Sequence, residues 1–207
     1  DRLSCYNCRF TGWQDTIFNG DPMTCNMKKL MLPDFFQASE VPIVHKFYRN
    51  YFKDCYVCGD VDYIFGPNTA FFDHCEIHSI ARVSEEKAYI TAASTPAGQE
   101  FGLIFSHCRI TGEEPDSVYL GRPWRDCAKT AFICCELGDH ICPEGWQNWG
   151  KVRAEVLSDY IEYGNFGPGA DCSGRSPLSR CLVNPEVETY FSKENVLVGE
   201  DGWIPAE

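Results

Sequence analysis

The sequence has no long hydrophobic run: nowhere do about 18 apolar residues follow one another, so no segment is expected to cross a membrane as a helix. Basic residues are also few, with 18 Lys and Arg against 30 Asp and Glu, and the formal net charge is -12. A surface of this sign repels phosphates, which excludes nucleic acid as an expected partner. The sequence has neither a Gly-x-Ser-x-Gly elbow nor a phosphate-binding glycine loop, which disfavours an α/β-hydrolase or a nucleotide-binding fold.

Cysteine, in contrast, is abundant. The chain has 13 cysteines in 207 residues, and because the number is odd, at least one thiol is unpaired or joins two chains. Small secreted proteins use cysteine for disulfide frameworks, but a chain of this length can form a hydrophobic core without one. The cysteines therefore need another explanation.

Five cysteines mark an internal repeat. Each lies in a segment that reads polar-Cys-polar-apolar and follows aromatic or β-branched residues, which is typical of a strand that ends in a turn. The aligned positions are Cys8, Cys55, Cys75, Cys108 and Cys135, which are 47, 20, 33 and 27 residues apart. One strand signature in each imperfect period predicts a solenoid of β-coils, in which these small side chains stack as an internal ladder.

Two Cys-x-x-Cys pairs allow a second interpretation. Such pairs are typical of zinc sites when they lie in turns, but Cys5–Cys8 and Cys55–Cys58 both fall on predicted strands. Residues i and i+3 of a strand face opposite sides, so we favour ladder thiols over a metal site. His74 and His78 could share a strand face, and we favour packed or exposed histidines there over metal ligands.

The pattern predicts one domain over residues 1–207. Residues 19–46 break the repeat with three prolines, which predicts a long loop near a cleft. Residues 173–207 read as a C-terminal tail with a short capping helix. In that helix Asn184 is the expected N-cap and Pro185 the first residue, and apolar residues follow at helical spacing. We expect this helix to cover the open end of the last coil.

Two aspartates are candidates for chemistry. Asp15 follows one strand, and Asp62 lies one coil later among aromatic and aliphatic residues. A carboxylate in such surroundings requires a partner, and Arg122 is the natural one because guanidinium can hold a carboxylate through two hydrogen bonds. Taken singly, an Asp is more often a turn residue, an Arg more often half of a surface pair, and Trp124 as often a core aromatic.

The motifs around these residues are more specific than the residues alone. Four of them occur in the same order as in the pectin methylesterase family, which the chain resembles over residues 1 to about 205. They are Gly12-Trp13-Gln14-Asp15-Thr16, Gly59-Asp60-Val61-Asp62-Tyr63-Ile64-Phe65-Gly66, Leu120-Gly121-Arg122-Pro123-Trp124 and Tyr163-Gly164-Asn165-Phe166-Gly167. The residues around Asp60 and at Thr91–Thr95 are similar to those of bacterial members of the family.

The resemblance implies an all-β fold, a right-handed parallel β-helix with a short C-terminal helix. It also implies a hydrolase that removes methyl esters from the galacturonate units of pectin. By motif match, Asp62 is the nucleophile, Asp15 the general acid and base, Gln14 a donor of the oxyanion hole, and Arg122 the residue that orients Asp62.

Further expectations follow from the same resemblance. Aromatic residues that contact the substrate are Trp124, Phe65 and Phe18. No cofactor and no metal is required. The expected partner is pectin, without nucleic acid or membrane; the expected oligomeric state is a monomer, and the expected location extracellular. The family's second oxyanion glutamine and its N-terminal coils are expected upstream of residue 1, so this chain alone should be weakly active.

Two other functions stay open from the residues. Paired carboxylates also serve glycosidases, and polysaccharide lyases share this class of fold, although a lyase more typically needs a calcium-binding acidic cluster. A non-catalytic binding protein is the other alternative, and the presence of both aspartates and the arginine counts against it.

Overall fold

The computed structural model describes residues 1–20, 48–84 and 86–206, so the loop expected at 19–46 lies outside the described residues from position 21 onward. In these ranges the strands are β1 (Leu3–Tyr6), β2 (Arg9–Thr11), β3 (Ile17–Phe18), β4 (Arg49–Lys53), β5 (Tyr56–Gly59), β6 (Val61–Gly66), β7 (Thr69–Asp73), β8 (Glu76–Ser79), β9 (Ala88–Ala93), β10 (Leu103–Ser106), β11 (Arg109–Gly112), β12 (Val118–Gly121), β13 (Lys129–Ile133), β14 (Glu136–Leu137), β15 (Asp159–Tyr163) and β16 (Ser179–Leu182). The helices are α1 (Ala154–Leu157), α2 (Glu186–Tyr190) and α3 (Lys193–Leu197), with short 3-10 turns at Pro168–Ala170 and Cys172–Gly174.

Successive strands of the chain belong to three different sheets. The seven-stranded sheet has the order β1-β4-β7-β10-β13-β15-β16, the five-stranded sheet β2-β5-β8-β11-β14, and the four-stranded sheet β3-β6-β9-β12. All pairings among these strands are parallel. Each of the first four coils thus adds one strand to each sheet, and the fold is a right-handed parallel β-helix, as the repeat and the resemblance predict.

An aromatic stack fills the interior beside the seven-stranded sheet. Phe52, Phe72, Phe105 and Phe132 take the same position in four successive strands, and their ring centroids are 4.6, 4.8 and 4.5 Å apart. All four side chains are buried. Burial of each phenylalanine contributes about 1.5–3 kcal/mol, and a shift in strand register would lose this contribution. The stack therefore holds consecutive coils in one register.

The predicted cysteine ladder is confirmed. Strand pairing brings Cys8, Cys55, Cys75, Cys108 and Cys135 to the same position of successive coils. The amide of Cys8 lies 3.4 Å from Cys55 Sγ, and the amide of Cys55 lies 3.4 Å from Cys75 Sγ. A small, weakly polar thiol therefore fills the corner and satisfies the backbone of the adjacent coil.

A left-handed turn residue precedes each ladder position. These residues are Asn7, Asp54, His74, His107 and Cys134, with φ between 51° and 53°, and Gly164 has φ 63° in the next coil. Asn165 follows Gly164 and ends the ladder, because its Oδ1 accepts the Cys135 amide over 2.9 Å. The side chains of these turn residues stand outside the corner, where successive coils bring them into a column.

A buried ion pair closes the interior at the C-terminal end. Glu162 is 2% exposed and pairs in register with Phe132 of the aromatic stack. Arg175 donates to it from Nε to Oε1 over 2.8 Å and from Nη2 to Oε2 over 3.0 Å. Trp146 Nε1 also donates to Oε1, over 2.9 Å. A buried charge requires such complete pairing, so the three residues act together as a plug.

The C-terminal tail lies on the outer face of the seven-stranded sheet. Apolar residues of α2, α3 and the turn between them pack against outward-facing residues of that sheet, including Tyr51, Phe71 and Ile104. Asn184 does cap the start of α2, since its Oδ1 accepts the Glu186 amide over 3.0 Å. The helix was expected over the open end of the last coil; it lies on the sheet instead, because that face is apolar and the end is already plugged.

A disulfide lies in the C-terminal part of the chain. Cys172 and Cys181 form a disulfide that links the last 3-10 turn to β16. In the described part of the chain, no helix has the length and apolar character needed to cross a membrane.

Candidate active site

Asp62 lies at an irregularity in β6. The pairing of β6 with β9 shifts between Val61 and Ile64, and Asp62 has a left-handed backbone with φ 50°. Asp is one of the few residues that adopt this conformation readily, and a bulge of this kind re-aims a side chain. The turn before it needs Gly59, where a Cβ atom would collide with the Trp13 carbonyl and the Tyr63 side chain.

The Asp62 carboxylate is buried and paired with Arg122. Arg122 follows β12, and its Nε and Nη2 donate to Asp62 Oδ1 and Oδ2 over 2.8 and 2.7 Å. Asp62 is 5% exposed. A bidentate pair of this kind fixes the carboxylate in one orientation and satisfies both of its oxygens in a buried place.

Two aromatic rings sandwich the guanidinium. The Arg122 Cζ lies 3.8 Å from the ring centroid of Tyr89 and 3.7 Å from that of Trp149. Each such contact is worth about 0.5–2 kcal/mol, and together they prevent the guanidinium from rotating away. The plane of Arg122 is thereby set before any substrate binds.

Asp15 occupies the position equivalent to Asp62 in the preceding coil. Ile17 pairs with Ile64, so Asp15 and Asp62 are both two residues before a paired position. Asp15 also has a left-handed backbone, with φ 59°, and its amide donates to the Val61 carbonyl over 3.1 Å. Desolvation and the negative charge of Asp62 raise the pKa of Asp15, while Arg122 opposes the shift.

Gln14 stands beside Asp15 and is exposed. Among the described residues no hydrogen bond engages its side-chain amide. The amide is thus available to a ligand.

Three aromatic side chains cluster beside the segments that carry Asp15, Asp62 and Arg122. Phe18 and Phe65 are paired in register, with ring centroids 4.9 Å apart, and Trp124 lies 5.6 Å from Phe65 and 6.4 Å from Phe18. All three are partly exposed. The three aromatics named from the sequence therefore form one cluster at the outer face of the four-stranded sheet.

Three residues of the site were not found from the sequence, and one of them is Tyr89, which stacks on Arg122. Trp149 has a left-handed backbone with φ 55°, and its amide donates to Gln147 Oε1 over 2.6 Å. Lys151 donates from Nζ to the carbonyls of Pro123 and Trp124 over 2.6 and 3.1 Å. Desolvation lowers the pKa of Lys151, and the nearby Arg125 adds to the effect. The sequence Asn148-Trp149-Gly150-Lys151 is typical of a turn, but it does not indicate which coil that turn would contact.

The two histidines considered as a pair do not come together. His74 lies in a corner turn and stacks on His107, with centroids 5.2 Å apart. His78 lies in β8, where it stacks on Tyr56 and its Nδ1 is 2.8 Å from Thr111 Oγ1.

Comparison with known proteins identifies the family. A family model described as Pectinesterase matches residues 37–200, a range that includes Asp62, Arg122 and Trp124. The chain belongs to the pectinesterase family. A curated relative, Pectinesterase 31 from Arabidopsis thaliana, is 36% identical over 188 residues, which is 90% of this chain and 50% of the relative. The similarity of two of these segments to bacterial members of the family stays a prediction.

Solved pectin methylesterases have the same fold. The pectin methylesterase from carrot is 25% identical with a TM-score of 0.74, covering 96% of this chain and 57% of the carrot chain. A second, described as in complex with a hexasaccharide, is 25% identical with a TM-score of 0.71, covering 100% of this chain and 59% of its own. This pectinesterase chain spans about half the length of the curated relatives it matches, at 50% and 49%.

Proposed function

We propose that this chain hydrolyses the methyl esters of pectin, releasing methanol and leaving galacturonate carboxylates. The observation that carries the proposal is the pairing of Asp62 with Arg122, beside Asp15 in the equivalent position of the preceding coil. Membership of the pectinesterase family supports the reaction, and a similar protein described in complex with a hexasaccharide supports a saccharide ligand.

In this proposal Asp62 is the nucleophile. The two hydrogen bonds from the Arg122 guanidinium hold the Asp62 carboxylate aimed at the carbonyl carbon of the methyl ester. Attack forms a bond from the Asp62 carboxylate to that carbon and moves negative charge to the carbonyl oxygen. The exposed Gln14 amide donates a hydrogen bond to this oxyanion.

Asp15 supplies and removes the protons. Its raised pKa favours the protonated form, which donates its proton to the departing methoxy oxygen, so methanol leaves and an anhydride with Asp62 remains. The ionised Asp15 then takes a proton from water, the hydroxyl adds to the former ester carbon, and the bond to Asp62 breaks. Both aspartates return to their starting states.

The aromatic cluster supports the binding of a sugar chain. Trp124, Phe65 and Phe18 offer flat apolar faces next to the reacting carboxylates, and sugar rings place their C–H faces on such surfaces. Since the proposed substrate is a cell-wall polymer, we retain the expectation of an extracellular monomer.

A methanol-release assay tests the proposal. The 207-residue chain is given highly methylated polygalacturonate, and methanol and polymer length are measured together. We expect methanol without chain shortening, abolished by Asp62→Asn and strongly reduced by Asp15→Asn. Asp54→Asn is the matched control, because Asp54 is an exposed aspartate with the same left-handed backbone, φ 52°, away from the site.

Each alternative has its own outcome. Chain shortening without methanol would mean a glycosidase or a lyase. A folded chain that binds the polymer but releases nothing would mean a binding protein. Either result overturns the proposal.

A further inference from the structure

Outside the aspartate site, the described residues contain three groups of His, Cys and carboxylate side chains with ligand atoms within 4.8 Å of one another. In one group Cys172 and Cys181 are joined in a disulfide, and Glu162 is held by Arg175. Such sulfurs are not thiolate ligands, so this group has no need of a cation.

The second group already contains a cation. It consists of Asp116, Cys142 and Glu144, and the Lys87 ammonium lies 2.6 Å from Asp116 and 3.9 Å from Glu144. The Lys87 ammonium therefore already pairs with both carboxylates of this group. In the third group, His107, Cys134 and Glu188, no Lys or Arg of the described residues forms an ion pair with Glu188.

The β-helix brings His107 and Cys134 together by its repeat. Both occupy the left-handed corner position before a ladder cysteine, with φ 53° each, in neighbouring coils. In the following coil the same position is Gly164, where an added Cβ would lie 3.0 Å from Cys134 Sγ. The absence of a side chain there leaves the Cys134 sulfur accessible from that side.

Glu188 approaches from a different part of the fold. It lies on α2 in the C-terminal tail, whose apolar residues fix the helix on the seven-stranded sheet. Its Oε1 is 3.8 Å from His107 Nε2. Two ligands of a tetrahedral zinc ion lie about 3.4 Å apart, given bonds of about 2.0–2.2 Å, so only small side-chain movements are required.

The second nitrogen of His107 is also engaged. Nδ1 lies 3.0 Å from Ser106 Oγ, which can accept a hydrogen bond from the Nδ1–H group. In that tautomer Nε2 carries the lone pair and faces Glu188. Metal-binding histidines generally have such an outer partner, which fixes the ring and its tautomer. His74 stacks on the His107 ring at 5.2 Å and further limits its rotation.

We propose that His107, Cys134 and Glu188 form a site for a divalent cation of borderline softness, with zinc as the fitting ion. His107 Nε2, Cys134 Sγ and one Glu188 carboxylate oxygen supply three ligands, and water supplies the fourth. Binding releases the Cys134 thiol proton to solvent and forms a thiolate–metal bond. The ion joins the tail helix α2 to the corner of the β-helix, so it is a structural strap, separate from the Asp62 site.

Cobalt substitution provides a direct probe. The metal-free 207-residue chain, with its free cysteines in the thiol form and the Cys172–Cys181 disulfide intact, is titrated with Co²⁺ under anaerobic conditions. We expect one equivalent to produce a thiolate-to-cobalt charge-transfer band and the intense visible bands of a tetrahedral site. Added Zn²⁺ should bleach both and raise Tm.

Matched variants identify the ligands. Cys134→Ser should remove the charge-transfer band, whereas Cys127→Ser, another partly buried free cysteine, should keep it. Ser106→Ala removes the outer hydrogen-bond partner of His107 and should weaken Co²⁺ binding by about 10- to 100-fold. Glu188→Gln removes a ligand and should weaken Co²⁺ binding by more than this. Glu186→Gln, on the same helix, should leave the affinity unchanged.

Glu188→Gln alters an exposed side chain of the tail, so it tests the site even if Cys134→Ser misfolds. A wild-type chain that takes up no Co²⁺ or Zn²⁺ at micromolar concentrations would refute the site. So would a charge-transfer band that persists in folded Cys134→Ser, or an unchanged affinity in Glu188→Gln.

Discussion

Arg122 and Asp62 are 60 residues apart in the chain, yet two parallel hydrogen bonds of 2.8 and 2.7 Å join them. Tyr89 and Trp149 hold the guanidinium from both sides. The Asp62 carboxylate is therefore held by an arginine whose own orientation is set by the two rings. Lysine has neither the planar fork nor the stacking faces to reproduce this arrangement.

The first prediction concerns the geometry of this pair. Arg122→Lys keeps the positive charge but loses the bidentate contact, so we expect kcat for methanol release to fall by about 10²-fold, since a misplacement of about 1 Å has this effect. Arg9→Lys is the control, because Arg9 also stacks on a ring, that of Tyr56, but on a different sheet. Equal activity of Arg122→Lys and wild type would contradict the role given to Arg122.

The same pair has a consequence for stability. Arg122→Ala leaves the Asp62 charge buried without a partner, so the free energy of unfolding should fall by about 3–5 kcal/mol. In the double variant with Asp62→Asn no charge is stranded, and most of that loss should be recovered. Urea denaturation of the three variants measures this coupling, and additive effects would show that the two residues do not interact.

The second prediction concerns pH. The folded-state pKa of Asp15 is raised, first by desolvation and then by Asp62. The fold thus favours the protonated form: its contribution to stability is fully present below the unfolded pKa and is lost as pH rises through the folded pKa. Asp15→Asn should therefore raise the urea midpoint at neutral pH and have no effect in strong acid.

Nuclear magnetic resonance titration of the Asp15 carboxyl tests the cause. In Asp62→Asn the neighbouring negative charge is absent, so the pKa of Asp15 should move down toward its ordinary value. The same pKa in wild type and Asp62→Asn would show that Asp62 does not act on Asp15.

The third prediction concerns substrate binding. Trp124→Ala removes the largest ring of the aromatic cluster without touching either aspartate, so KM should rise about tenfold, equivalent to about 1.4 kcal/mol. The value of kcat should change little. Phe166→Ala is the control, as Phe166 is 57% exposed and belongs to the last coil. An unchanged KM would remove Trp124 from the binding surface.

The fourth prediction concerns the cysteine ladder. Cys108 is 1% exposed, and its Sγ lies 3.3 Å from the Phe72 carbonyl. Cys108→Ala deletes one buried heavy atom and leaves a cavity, so the free energy of unfolding should fall by about 1–2 kcal/mol. Cys127→Ala, at a partly buried position outside the ladder, should have a smaller effect. Equal losses would show that the ladder has no special packing role.

The fifth prediction concerns the plug. Arg175→Met breaks the ion pair with Glu162 and should destabilise the last coils by about 3–5 kcal/mol, because Glu162 is buried. Adding Glu162→Gln removes the stranded charge and should restore much of the stability. Hydrogen exchange of β15 and β16 locates the effect, and uniform loss of protection throughout the β-helix would contradict a local plug.

Much of this fold was predictable because a solenoid repeats. Cys8 and Cys55 are 47 residues apart, and so are Asp15 and Asp62, so one offset aligned both the ladder and the two aspartates. Phe18 and Phe65 are related by the same offset and are also paired, whereas Trp124 was expected only from the family resemblance. The disulfide, the plug and the position of the tail were not predicted.

The sequence by itself determined the coil register, because apolar and thiol side chains at equivalent positions must stack to be buried together. It also placed Asp15 and Asp62 at equivalent positions of neighbouring coils. Only the tertiary structure decided what holds Arg122, where the tail lies and how the last coil ends. Those outcomes depend on contacts between segments that share no repeat, such as Trp149 with Arg122 and Glu188 with His107, and no local pattern encodes them.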